Sequence, residues 1–185
     1  MSAILTDAED GILTITINRP DALNAFDKYV HETLDALWDQ FEADDSLRVA
    51  IITGAGDKAF SAGSDLKYYS SGAPIVLPDN GYGGLSHRRL TKPVIAAVNG
   101  LALGGGFEFA LCCDLIVASD NASFGLPEVR VGAAALGGGI PRLVRKIPYA
   151  TAMGMLLAAR RVGAEEALRI GLANAVVPRD RLLDE

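Results

Sequence analysis

The residues in this 185-residue chain best suited to chemistry are two glutamates and two runs of small residues. Glu108 closes the run Asn99-Gly100-Leu101-Ala102-Leu103-Gly104-Gly105-Gly106-Phe107-Glu108, and Glu128 closes Phe124-Gly125-Leu126-Pro127-Glu128. A carboxylate pair can divide general acid and base work, one giving a proton while the other takes it. Their spacing does not by itself bring Glu108 and Glu128 together, although Pro127 fixes its own φ and helps to aim Glu128. The other run is Ala59-Phe60-Ser61-Ala62-Gly63-Ser64-Asp65-Leu66-Lys67. Small side chains let a ligand approach the backbone, and free N–H groups at a helix start attract negative charge. Both runs read as strand, small-residue turn, helix. Two such turns brought together can aim two N–H donors at one oxygen, which is what an oxyanion hole requires.

Each piece also has a plainer use. Three glycines serve a tight turn or close helix packing, a lone Glu in a first helical turn serves the helix dipole, and Glu128 alone reads as a surface residue. Other chemistries fit less well. Phe109 stands where a dinucleotide-binding G-x-G-x-x-G needs its third glycine, and the Ser61 to Ser64 stretch lacks the G-x-S-x-G elbow of serine hydrolases. Cys112 and Cys113 are adjacent, so they neither form a structural disulfide nor build a four-ligand zinc site, and they read as small buried residues. His31 and His87 add no metal-ligand spacing.

The elements that must position these residues follow from periodicity. Asp10-Gly11 is a turn between apolar runs, so Ile4–Thr6 and Ile12–Asn18 form a hairpin. In the second strand Leu13, Ile15 and Ile17 share one side, which should face the core. Val30, Leu34, Leu37, Trp38 and Phe41 carry helical spacing within Asp27–Ala43, with Asp27 as N-cap. Val49–Thr53, Val94–Val98 and Leu115–Ala118 are short apolar runs, read as buried strands. Helical patterns separate them, and this alternation implies a parallel sheet in an α/β fold. Residues 70–84 form a loop rich in Ser, Gly, Pro, Asp and Asn. Tyr149–Arg160 and Ala164–Ile170 read as helices and Ala173–Val177 as a strand. No strict internal repeat and no linker is visible, so residues 1–185 are expected to form a single domain.

Half of the residues are hydrophobic and 22% are charged, an ordinary globular composition. The net charge of −6 argues against a nucleic-acid partner, which needs a basic field. No run approaches a membrane span. Met1 to Asp10 carries three acids and no Arg or Lys, unlike a transit or signal segment, so the expected setting is cytoplasmic, without a membrane partner.

Taken together, several segments resemble the enoyl-CoA hydratase/isomerase, or crotonase, family. They are Asn18-Arg19-Pro20 with Leu23-Asn24-Ala25, the 59–67 run, Lys92-Pro93-Val94-Ile95-Ala96-Ala97-Val98-Asn99-Gly100, the run ending at Glu108, Cys113-Asp114-Leu115-Ile116-Val117-Ala118, and Ala122-Ser123 leading into Phe124 to Glu128. The resemblance covers nearly the whole chain. It implies a spiral of repeated β-β-α units, assembled as a homotrimer or a hexameric dimer of trimers. It implies oxyanion-hole amides at Ser64, where most relatives carry Ala, and at Gly105. It also implies catalytic carboxylates at Glu108 and Glu128. Ala62, Asp65, Leu66 and Lys67 match the stretch lining the coenzyme A channel, and Ala22 and Leu23 a segment at its nucleotide end. Tyr68, Tyr69 and the 70–84 segment fall where the acyl pocket forms.

Hydratases of the family keep both glutamates, whereas isomerases generally keep one. The implied activity is therefore reversible addition of water to a 2-enoyl-CoA thioester. No metal or redox cofactor is needed, since coenzyme A arrives with the substrate. Other reactions on the scaffold stand as alternatives: isomerisation, thioester hydrolysis, or the carnitinyl-CoA type of dehydration that Phe107-Glu108 and Leu126-Pro127-Glu128 also resemble. A non-catalytic CoA-ester-binding or scaffold role is a further one. Two departures from the family carry expectations. Ala135 and Leu136 replace a Pro-Gly pair in a loop bordering the acyl pocket, so Leu136 is expected to narrow that pocket or displace the water. Relatives continue past the strand matching Ala173–Val177, so the C-terminal helical part is expected to be missing and an apolar surface exposed around residues 150–180.

Overall fold

Asp10 and Gly11 both take positive φ, 50° and 83°, the two-residue turn whose twist suits a hairpin. They join β1 (Ile4–Glu9) to the antiparallel β2 (Ile12–Ile17) in a computed structural model that describes residues 2–74 and 76–185. Leu13, Ile15 and Ile17 are buried while Ile12 is exposed, as the alternation requires. Helix α1 (Lys28–Ala43) is capped by the Asp27 side chain, which accepts a hydrogen bond from the Val30 N–H at 2.9 Å. It buries Val30, Leu34, Trp38 and Phe41, together with His31.

The chain continues through β3 (Val49–Gly54), β4 (Ala59–Ser61), α2 (Leu66–Ser70), β5 (Val94–Val98), β6 (Leu101–Leu103), α3 (Gly105–Cys112), β7 (Leu115–Ser119) and β8 (Ser123–Gly125). It ends with α4 (Gly139–Lys146), α5 (Tyr149–Ala158), β9 (Val162–Gly163), α6 (Ala164–Arg169) and β10 (Ala175–Val177). Six strands form one sheet in the order β1-β2-β3-β5-β7-β10, parallel from β2 onward. A second sheet runs β4-β6-β8-β9, with only β9 antiparallel.

The two sheets arise from one repeated path. A long apolar strand of the first sheet turns a corner into a three-residue strand of the second, and a turn or helix then returns. This is the β-β-α spiral. The repeat lies in the backbone, which is why no repeat shows in the side chains. Asn99 ties one corner to the next: its Nδ2 donates to the carbonyls of Gly54 (2.7 Å) and Gly56 (3.0 Å), and its Oδ1 accepts from the Gly54 N–H at 3.1 Å.

The expected loop over residues 70–84 includes Ile75, which lies outside the described residues. Its end is a short 3-10 turn at Tyr82–Gly84, pinned to α1. Trp38 Nε1–H donates to the Gly83 carbonyl at 2.9 Å, and the Gly83 N–H donates to His31 Nδ1 at 3.0 Å. Around residues 150–180 the expected apolar exposure is present, with Tyr149, Leu157 and Leu168 turned outward. No helix among the described residues is long and apolar enough to cross a membrane.

Candidate active site

Parallel pairing of β4 with β6 sets the two small-residue turns side by side. Gly63, at φ 91°, packs so closely on the second turn that a side chain there would stand 2.8 Å from the Gly105 nitrogen. Ser64 forms an isolated parallel bridge with Phe26. The Phe26 N–H donates to the Gly63 carbonyl at 2.8 Å, and the Asp65 N–H donates to the Phe26 carbonyl at 2.9 Å. In an extended chain successive N–H groups alternate in direction, so the Ser64 N–H points away from Phe26. The Gly105 N–H opens α3, where the first-turn amides have no partner within the helix. Among the described residues neither amide donates to a protein acceptor in a turn, loop or cap.

Glu108 lies one turn into α3 and is only 4% exposed. Its Oε1 accepts from the Gly139 N–H at 2.9 Å, and its Oε2 is 3.0 Å from where a side chain at Gly137 would stand. The 137–139 glycines therefore wrap this carboxylate. Burial raises its pKa from the usual 4.5 to about 7; the Glu128 charge adds to that, while the Gly139 and Gly137 amides and Arg142 oppose it. Glu128 begins the 3-10 turn Glu128–Val131 and is half-buried. Its Oε1 is 3.1 Å from the side-chain position of Gly104, and its Oε2 is buried with no hydrogen-bond partner among the described residues. Burial raises its pKa as well. The tertiary structure thus joins two carboxylates that lie apart in sequence, at the turn that carries the Gly105 amide.

The other expected site residues form an adjoining edge. Ala22 and Leu23 lie at the 3-10 turn Pro20–Ala22, and the Leu23 carbonyl accepts from the Ala62 N–H at 3.0 Å. Leu66 and Lys67 are exposed. The Asp65 carboxylate is engaged within the protein: it caps α2 through the Tyr68 N–H (3.0 Å) and pairs with Arg19 at 2.8 Å. Its pKa is held low: burial, the largest single influence, pushes upward, and the Tyr68 amide and Arg19 together outweigh it. Arg19 also contacts Asp27 at 3.2 Å, so one guanidinium ties the entry of α1 to the entry of α2.

An apolar cavity of about 480 Å³ adjoins Glu128 and is lined by Leu126, Ala135, Ile140, Met153 and Leu157 among others. Leu136 does not narrow it. That side chain is 80% exposed, and Ala135 turns inward instead. A larger hollow of about 640 Å³ lies near Thr53, Asn99 and Arg179. Those side chains hydrogen-bond backbone carbonyls, and neither glutamate borders the hollow.

Three contributors were not legible in the sequence. The Gly137 to Gly139 run carried a signal as a second triple glycine. Arg19 stood in a quoted motif without a role. Tyr82 was included only as part of the 70–84 segment and had no role of its own, yet its hydroxyl reaches the Ser64 Oγ at 3.4 Å.

The enoyl-CoA hydratase/isomerase family model matches residues 7–185. The chain is 50% identical over 176 residues to the carnitinyl-CoA dehydratase of Escherichia coli K12, covering 94% of this chain and 67% of that one. It is 47% identical over 179 residues to the mevalonyl-coenzyme A hydratase of Beauveria bassiana, covering 90% and 64%. The chain therefore spans about two-thirds of the length of these relatives. Among solved structures, the carnitinyl-CoA hydratase of Mycobacterium avium superposes with a TM-score of 0.95 at 42% identity, covering 98% of this chain and 71% of that one. The enoyl-CoA hydratase of Mycobacterium tuberculosis H37Rv superposes with a TM-score of 0.93 at 44% identity, with the same coverage.

Proposed function

The chain belongs to the enoyl-CoA hydratase/isomerase family, and from that premise we propose that it adds water reversibly to a 2-enoyl-CoA thioester, as a hydro-lyase. The observation that carries this reading is the meeting of a buried and a half-buried carboxylate, both with raised pKa, beside two unspent backbone amides. The thioester oxygen sits against the Ser64 and Gly105 N–H groups, with the positive end of α3 behind it. Negative charge that develops there as the enolate forms is then met by donors already in position.

Glu108 holds the water and takes its proton as oxygen attacks the β-carbon. Glu128 gives a proton to the α-carbon. The partners of each support this division. The Gly139 N–H favours an ionised Glu108, whereas the unpartnered Oε2 of Glu128 favours a neutral acid. The proton lost by water and the proton gained by carbon balance, so the step needs no metal or redox group. Coenzyme A enters with the substrate along the edge formed by Ala22, Leu23, Ala62, Leu66 and Lys67. Asp65 shapes that edge through its bond to Arg19.

The reverse reaction, dehydration of a 3-hydroxyacyl-CoA with a polar acyl group, is the second reading, favoured by the carnitinyl-CoA relatives. We further propose a cytoplasmic homotrimer or dimer of trimers, which would cover outward-facing Val131, Tyr149 and Leu157. Light scattering would test the assembly. Activity is tested by the loss of enoyl-thioester absorbance with crotonyl-CoA. Glu108→Gln and Glu128→Gln should each lower turnover by roughly 10²- to 10⁴-fold. Near-normal hydration by either variant would refute the two-carboxylate mechanism.

A further inference from the structure

We propose that the Tyr82 hydroxyl is a third donor to the thioester oxygen, acting beside the Ser64 and Gly105 amides. This rests on the acyl-CoA reading of the site. The Tyr82 ring is 5% exposed and held on several sides. Phe26 packs at 5.1 Å between ring centroids, and His31 meets it edge-on at 4.7 Å. The Tyr82 N–H donates to Ser86 Oγ at 2.8 Å, and the next residue is tied to His31 and Trp38. So fixed, the ring directs its hydroxyl to the point where the two turns meet.

The hydroxyl oxygen stands 2.3 Å from where a side chain at Gly105 would begin, which leaves room there for glycine alone. The one side-chain partner it has among the described residues is Ser64 Oγ at 3.4 Å. Hydroxyl pairs normally bond at about 2.7–2.8 Å, so the phenolic proton is largely unspent. A buried polar group in that state is destabilising, and a phenylalanine would avoid that cost. The oxygen thus lies against both residues whose amides are to hold the thioester, and a ligand oxygen would give it the partner it lacks. Burial and the charges of Glu108 and Glu128 keep it protonated, hence a donor, across the working pH range. The role involves no proton transfer; the bond strengthens as charge gathers on the thioester oxygen.

The test uses acetoacetyl-CoA, whose bound enolate is visible by its ultraviolet absorbance, and butyryl-CoA as an unreactive control. Tyr82→Phe keeps the ring and removes the hydroxyl. It should lower the enolate-to-keto ratio of bound acetoacetyl-CoA roughly 10²-fold and change butyryl-CoA affinity by no more than about threefold. For crotonyl-CoA, kcat should fall by a similar factor with KM nearly unchanged. Tyr82→3-fluorotyrosine, a stronger donor of nearly the same shape, should raise the enolate fraction.

An unchanged enolate band in Tyr82→Phe, or equal weakening of both ligands, would overturn the proposal. Loss of kcat with the enolate band intact would overturn it too, and would move the hydroxyl to the attacking water. A wild-type enolate band without crotonyl-CoA hydration would defeat the hydratase reading alone, and the Tyr82 comparison would still decide the donor. Absence of binding to either ligand by the wild type would overturn both.

Discussion

Replacing Glu108 with glutamine should stabilise the fold increasingly as the pH rises from about 5 to 8. Glu108 is 4% exposed, and burial raises its pKa from the usual 4.5 to about 7. Between those values the folded protein holds a proton that the unfolded chain has released. Stability therefore falls as pH rises through the window, and the penalty is complete above the folded pKa. A rise from 4.5 to about 7, at 1.36 kcal/mol for each tenfold change in proton affinity, is worth about 3 kcal/mol. Glutamine keeps an acceptor for the Gly139 N–H and carries no charge, so it escapes this penalty. Its amide group would face the Gly137 side of the pocket, which costs part of the gain at every pH alike.

The pH dependence of the difference is thus the diagnostic. His31 acts in the opposite direction: burial lowers its pKa to about 4, so its contribution grows as pH rises from 4 to 6.5. The comparison must therefore be between variant and wild type, measured by urea denaturation at pH 5, 6, 7, 8 and 9. A difference that stayed flat, or that shrank with pH, would refute the assignment of Glu108 as a desolvated carboxylate. The same substitution is expected to remove activity, so the site would be one where function is held at a cost in stability.

Other perturbations separate the frame from the chemistry. Gly63→Ala would force a side chain at φ 91° to within 2.8 Å of the Gly105 nitrogen. It should lose about 1–3 kcal/mol and, at temperatures where it remains folded, most of its turnover, as melting and kinetic assays would show. Asn24→Ala would strip donors from the Ala55 and Ala59 carbonyls (2.9 and 2.7 Å) and the acceptor for the Arg19 N–H at 3.0 Å. A loss of about 3–4 kcal/mol in urea denaturation is expected. Leu136→Ser should change stability by no more than about 0.5 kcal/mol, because the side chain is 80% exposed. A loss above about 1 kcal/mol on melting would mean that Leu136 is packed after all.

Much of this molecule was decided locally, and so could be read from the sequence. The hairpin at Asp10-Gly11, the Asp27-capped helix and the buried strands of the first sheet follow from turn chemistry, capping and periodicity, all of which act within a few residues. The three-residue strands β4, β6 and β8 were not legible, because three residues are too few to show alternation. The motifs pointed to Glu108, Glu128, Ser64 and Gly105, but each motif is a separate local turn. Their meeting depends on the corner that every coil of the spiral makes from one sheet into the other, a long-range pairing that no single stretch encodes. The environment of each group was likewise decided in three dimensions. Glu108 owes its raised pKa to burial, which the amides of glycines some thirty residues away only partly offset, Asp65 is drawn into a bond with Arg19, and Tyr82 reaches the site because α1 grips its loop. Sequence determined which groups could do the chemistry; packing determined which of them are desolvated, which are already bonded, and which are left free to meet a substrate.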